Sequence, residues 1–350
     1  MRSIFLSFLL MAGSGVGWAQ SLGNQSTITQ QGDGNVGHTT QQGQSNYAWT
    51  ASQGQANQAR LTQIGQQNWT LVYQDGMSNV AESRIEGSHS FHQVDQQVGA
   101  HQSRATVTTL GDHNLGQVNQ DAAQTAQSKI MVNGNYNHSE IQQGQWLPGA
   151  PGARHTQAEI EVAGSYNRSV IAQQSGRANR AEISLHGSYN EAEVEQGGLS
   201  SEAQQAEVAL TGHHNLALID QAEGQANQAR VTADGNHNDL LVDQFGASSA
   251  HHQAQLTAWG SENLAHVFQA QGQGNHAVIS LKGEQNCSVA TQTGGSQQQV
   301  HVDVVGDLNY STLDQAGEEN FAQLDQTGQA NVSVSHQTGN HNTATVTQSN

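Results

Sequence analysis

The chain has 350 residues, enough for two or three ordinary domains, yet only 34% are hydrophobic, 5% aromatic and 11% charged. A formal net charge of −18 with only 11 Lys and Arg leaves no basic face to displace counterions from phosphates. Nucleic acid and anionic membrane surfaces are therefore excluded as partners.

The first residues read MRSIFLSFLLMAGSGVGWAQS. Arg2 supplies a short positive region, 4–12 is an apolar stretch too short to span a bilayer, and Gly17 and Ala19 occupy the −3 and −1 places of a cleavage site. This predicts a secretory signal over 1–19 and an exported mature chain, 20–350. Nothing later is apolar enough to cross a membrane, so no membrane insertion is expected.

From there the chain is repetitive. G-x-x-N recurs every 11 or 12 residues wherever no insertion intervenes, with corner glycines at Gly54, Gly65, Gly176, Gly187, Gly317 and Gly328 among many others. Between corners the residues alternate. One set reads Asn57, Ala59, Leu61, Gln63; another Asn179, Ala181, Ile183, Leu185; a third Asn320, Ala322, Leu324, Gln326. Period two predicts β-strands with these residues inward, while Arg60, Arg180, Glu182 and Gln323 make the other face polar. The corners suit Gly and Asn, both tolerant of positive φ.

One strand and one corner per repeat cannot bury an apolar face alone; stacked, they can. The predicted fold is all-β, a β-solenoid (β-helix) with two strands per coil, about 22–24 residues per coil and about 14 coils. At about 4.8 Å per coil it is a rod on the order of 65 Å long. Two strands per coil follow from a second-order pattern. Alternate strands end in Gln (Gln96, Gln120, Gln143 through Gln315), and those between end mostly in apolar residues such as Ile85, Val162, Leu185 and Leu210. Buried Gln and Asn must pair with like residues one coil away. Longer corners follow only the Gln-type strands and so emerge on one edge; the first, 145–155, holds both prolines, Pro148 and Pro151. The repeats run to both ends with no polar cap, which invites end-to-end addition.

Stretches such as ARLTQIGQQNWTLVYQ, IEVAGSYNRSVIAQQ and LDQTGQANVSVSHQ resemble the curlin repeat of bacterial curli subunits, roughly S-x5-Q-x-G-x-x-N-x-A-x3-Q. The resemblance runs from Asn24 to Gln348, in more copies than familiar curli subunits carry, and only Gln20 to Gly23 stand before the first strand. It implies a secreted subunit of extracellular amyloid fibres for biofilm matrix and adhesion, nearer to the nucleating subunit than to the major one. It also implies a place outside a Gram-negative cell. The implied partners are other copies of the chain, another curlin-type subunit and an outer-membrane secretion machinery.

Other chemistry is thin. Corner histidines (His113, His213, His214, His237, His276, His341) lack any acidic or Cys partner at a regular offset, so no metal or cofactor is expected. Asp220, Asp243, Asp314 and Asp325 each precede Gln and read as a solubilising stripe up one face, without the cationic neighbours of a glycosidase cleft, so no catalysis is expected. Cys287 is the single cysteine and reads as an outward residue; Trp49, Trp69, Tyr166 and Tyr189 read as outward or corner aromatics. Acidic corners (Asp33, Asp112, Asp307, Glu318, Glu319) read as gatekeepers against premature aggregation. The alternative to a fibre subunit is a monomeric surface solenoid, such as an adhesin or ligand-binding arm. An ice-binding version would need a Thr array that only 343–347 shows.

Overall fold

Residues 23–144, 152–198, 201–246 and 249–350 are described from a computed structural model of the chain. The predicted signal segment and both prolines of the 145–155 insertion lie outside the described residues. Within them the period-two pattern is realised as strands that pair only in parallel. Each strand pairs with the strand of the same sheet one coil away. Gln25–Gln31 lies against Tyr47–Gln55, which lies against Trp69–Met77; Val36–Gln44 lies against Gln58–Gln66, which lies against Val80–Ser88. Two parallel sheets of fourteen rungs result, and successive strands alternate between them. The first sheet begins with Gln25–Gln31 and the second with Val36–Gln44. The solenoid thus has 14 coils of two strands, as the repeat predicts.

Residues in register are 22 to 25 apart in most coils and 30 apart across the Pro-containing insertion. One rung of the second sheet is split into Gln228–Arg230 and Ala233–Asn236, with Thr232 between them at φ +115°. That value is strained for a β-branched residue.

The core is a narrow two-sided column. Leu61, Ile130, Ile160, Ile183 and Leu256 from the second sheet meet Val72, Ile141, Ile171, Ile219 and Val242 from the first, all fully buried. Each such side chain contributes about 1.5–3 kcal/mol on leaving water. One coil supplies few of them, so stability depends on stacking.

The corners correct one detail of the sequence reading. The glycine of G-x-x-N has positive φ, but the second residue with positive φ is the one before Asn, not Asn itself. Gly164 is at +135° and Tyr166 at +58°; Gly187 is at +116° and Tyr189 at +58°. Asn must already be extended, because its side chain points inward as the first residue of the ladder. The corner glycines stack directly on one another. A Cβ built on Gly54, Gly65, Gly187 or Gly317 would run into the carbonyl of the corner glycine one coil on. A Cβ on Gly176 would meet the Ser201 carbonyl, and one on Gly328 would meet Asn350.

The two edges differ. Corners leading from the second sheet to the first keep G-x-x-N almost throughout. Corners leading from the first to the second widen in the middle of the solenoid and gain a column of bridges of their own: His101 to Gln124, Arg154, Arg177, Glu202, Gln225, Ala250 and Gln273. The insertions therefore gather on that one edge. The same edge opens with a register shift between Gln74 and Gly76, where residues 97–99 stand opposite the single Asp75.

Replacing Gly187 by Ala combines left-handed strain with a backbone clash. Reversible urea unfolding of the monomer should show a loss of about 1–3 kcal/mol. The same substitution at Gly99, where a Cβ meets no atom within 4 Å, should cost less.

Candidate functional site

The inward strand positions put carboxamides in the core, and a buried amide without partners is costly. Here they form continuous columns. On the first sheet Ser52 Oγ donates to Gln74 Oε1. From Gln74 each Nε2 donates to the Oε1 of the next Gln, through Gln96, Gln120, Gln143, Gln173, Gln196, Gln221, Gln244, Gln269, Gln292 and Gln315 to Gln337, at 2.7–3.0 Å. All these amides point the same way.

In most rungs the remaining N–H of the amide crosses to the other sheet. Gln196 Nε2 donates to the Arg180 carbonyl at 2.9 Å, sixteen residues back at the start of the preceding strand. Gln74, Gln173 and Gln315 repeat the contact on Gln58, Gln157 and Gln299. The amide column therefore ties the sheets together as well as the coils.

On the second sheet the same column is Gln only near the ends, where Gln41 donates to Gln63 and Gln326 to Gln348, both at 2.8 Å. Between them stand Ile85, Val132, Val162, Leu185, Leu210 and other mostly apolar residues, all buried.

Asn columns run up both edges. Asn167 donates its backbone N–H and Nδ2 to Asn137 Oδ1 at 3.0 and 3.1 Å, and Nδ2 also reaches the Gly187 carbonyl at 2.9 Å. Asn57 and Asn320 make the same carbonyl contact to Gly76 and Gly339. Asn179 instead donates to Ser201 Oγ, at 2.8 Å on the widened edge. Asn57, Ala59, Leu61 and Gln63 are all buried, as are Asn179, Ala181, Ile183 and Leu185, and Asn320, Ala322, Leu324 and Gln326.

The outer faces require a correction. The three strands that suggested a polar exterior all belong to the second sheet. There Arg60, Glu82, Arg104, Lys129, Glu159 and Arg180 do lie outward, with exposed ion pairs such as Lys129–Glu159 at 2.7 Å. The outer face of the first sheet is mixed, with apolar patches separated by polar rungs such as Gln93, Gln117 and Glu140 and by the ion pairs of Arg168 with Glu191 and Glu193. Tyr47 packs on Trp69, centroids 5.2 Å apart, with Trp49 and Leu71 alongside. Leu216, Leu264 and Tyr310 lie in one row further along, half exposed. Cys287 stands in that row between Leu264 and Tyr310, and burial pushes its thiol pKa up.

The acidic stripe is also divided. Asp220 and Asp243 lie on the first sheet in register with Glu195, and Asp314 lies further along the same row. Asp325 is on the second sheet beside Asp303. Burial, then the Glu195 and Asp243 charges, push Asp220 up to about 6, while Asp243 accepts from His266 at 2.9 Å. The acidic corners Asp112 and Asp307 cap the backbone N–H of Ser88 and Glu284 in the preceding coil.

Of the corner histidines, His113, His214, His237 and His341 hold the left-handed place, whereas His276 opens the strand His276–Lys282. Among the described residues no group of three or more His, Cys, Asp or Glu could hold a metal ion. Two other histidines, missed by the sequence reading, are inside the core. His92 takes an Ala/Ser place, between Ser83 Oγ at 2.8 Å and Thr109 Oγ1 at 3.0 Å; burial lowers its pKa to about 3. Gly116, in register one coil on, leaves room for it. His252 replaces a ladder Asn and is held near 4, mainly by burial. Their place in the period-two register was the available signal.

The left-handed corner place also builds a column of rings. His89, His113, Tyr136, Tyr166, Tyr189, His214 and His237 stack in sequence, centroids 4.5–5.0 Å apart and planes within 13°.

Two substitutions test this geometry. Gln196→Leu keeps the volume but strands the amides of Gln173 and Gln221; urea unfolding should show a loss of about 1–3 kcal/mol per stranded group. Asp220 has a raised folded pKa, so its carboxyl favours folding while protonated, and that contribution fades as pH rises from about 4 to about 6. Asp220→Asn should therefore gain stability over the parent at pH 7 and little at pH 4. A difference of about 1–2 kcal/mol is expected after allowing for solvent screening; equal unfolding midpoints at pH 7 would refute it.

Among the described residues no helix is long and apolar enough to cross a membrane. A search of curated proteins finds no match. The family model for the curlin associated repeat matches residues 317–349, which span the strands Phe321–Gln329, Val332–Thr338 and Thr343–Ser349. The chain therefore carries the curlin associated repeat at 317–349, in strands that share the ladder geometry of the coils before them.

Proposed function

We propose that the chain is a secreted structural protein, a subunit or nucleator of extracellular curli-like fibres that serve matrix and adhesion, and that it acts by assembly rather than by catalysis. The observation that carries this reading is the ladder itself, like amides held in one register from coil to coil, a pattern that another copy of the chain can continue. Among the described strands, Gln25–Gln31 and Thr343–Ser349 each pair on one side only. In the interior the Oδ1 of a ladder Asn receives the backbone N–H of the residue in register one coil on, as Asn320 does from Asn342 and Asn179 from Gln204. Among the described residues no donor meets the Oδ1 of Asn331 or Asn342.

A second copy whose Asn24 and Asn35 took those places would continue both columns. It would also set Gln30 on Gln337 and Gln41 on Gln348. The partners in this reading are other copies, a second curlin-type subunit and an outer-membrane export machinery. The repeat match supports a curli-related structural role; the fibre itself is the step the proposal adds.

The test uses mature chain, 20–350, diluted from denaturant and followed by electron microscopy with and without preformed seeds. Seeded samples should form fibres sooner, with a meridional reflection near 4.7–4.8 Å. Single short rods persisting at high concentration would overturn the proposal in favour of a monomeric adhesin arm.

A further inference from the structure

The ring column lies apart from the amide ladders, and its three central members are tyrosines. Tyr136, Tyr166 and Tyr189 are parallel to within 2°, with centroids 4.9 Å apart in both pairs. All sit at a left-handed corner with φ of 56–58°, so their Cα atoms share one geometry and the phenols project side by side. They are 48%, 48% and 51% exposed, open enough for a diffusing or enzymic oxidant to reach. His113 and His214 close the two ends of the tyrosine run.

We propose that this column is a site of oxidative cross-linking, at which a peroxide-driven one-electron oxidant couples neighbouring tyrosines into dityrosine. The balance is simple. Each of two phenols gives up one electron and its phenolic proton, and the two phenoxyl radicals join through ring carbons ortho to oxygen. Each ortho hydrogen then returns to its own ring's oxygen. Two tyrosines and one hydrogen peroxide give one dityrosine and two waters.

Radical pairs recombine where partners are held close, and the solenoid holds these at permanent neighbour distance on exposed side chains free to tilt. The other three tyrosines have no such partner. Tyr47 is in register with Trp69, Tyr73 with Asp95, and Tyr310 with Cys287 and Val332. Tyr136 and Tyr166 flank the 145–155 insertion, so their link would staple the longest coil of the solenoid. Tyr166 belongs to both possible pairs and is the determinant.

The experiment uses the folded full-length mature chain in a Cys287→Ser background, which removes the competing thiol, treated with a haem peroxidase and hydrogen peroxide. The expected product is a monomer lighter by two hydrogens, with peptides joining Tyr166 to Tyr136 or Tyr189. Tyr136→Phe and Tyr189→Phe should each keep one link. Tyr166→Phe, which preserves the ring stack, should lower the intrachain yield about tenfold or more, since Tyr136 and Tyr189 are then two coils apart. Circular dichroism confirms that the variants fold. Equal yield in Tyr166→Phe would overturn the proposal. So would links mapping to Tyr47, Tyr73 or Tyr310, or the same yield in denaturant. None of these readouts requires fibres, so the result stands apart from that of the seeding test.

Discussion

A carboxamide taken out of water must find an acceptor for each N–H and a donor for its oxygen, and this requirement organises the whole molecule. In the Gln column of the first sheet the oxygen is met by the coil before, one N–H by the coil after, and in most rungs the other N–H by the facing sheet, as at Gln196. Such an arrangement tolerates no drift. A one-residue slip would turn every amide outward and leave each neighbour unpaired. Register, coil length and the spacing of the sheets are all held by the same set of contacts, and the apolar residues then fill what space remains. The polar interior thereby specifies which stacking is allowed, while apolar burial supplies most of the driving force.

The backbone plan was legible because it is written twenty times over. Gly fixes the corners, alternation fixes the faces, and the Gln-versus-apolar alternation at the fourth inward place separates the two sheets. Less legible was anything that depends on comparing strands across coils. The polar exterior inferred from 57–63, 179–185 and 320–326 was true only of the second sheet, because those strands all lie there. His92 stands at an inward place of the period-two register, but the room for its ring shows only when it is aligned with Gly116, whose missing side chain makes the space. The ring column was present in the sequence as isolated corner residues; only stacking brings His113 onto Tyr136. In a solenoid, contacts lie a coil away, and their meaning appears once the coil length, variable here between 22 and 30 residues, is known for each turn.

The two edges divide the tolerance for variation. On one edge the Asn column is broken only by Ser90, which still accepts the Asn114 N–H through its hydroxyl. On the other, Ser103, Ala126, Thr156, Gln204, His252 and Gln298 replace Asn where the corners widen. Added residues relieve the tight corner and so remove the need for its particular cap. The bridge column from His101 to Gln273 takes over part of the backbone pairing. Insertions are absorbed there without disturbing the strands, because the wider corner already has its own ladder.

The split rung at Thr232 has a mechanical meaning. Pulled along its axis, the solenoid bears load in series from coil to coil, while within each coil the hydrogen bonds share it in parallel. The strands on either side of Thr232 are only three and four residues long, so that coil offers fewer parallel links in the second sheet than its neighbours. Extension should concentrate there first, and the intact first-sheet strands Leu216–Ala222 and Asp239–Phe245 would then act as the hinge about which the two halves of the rod open.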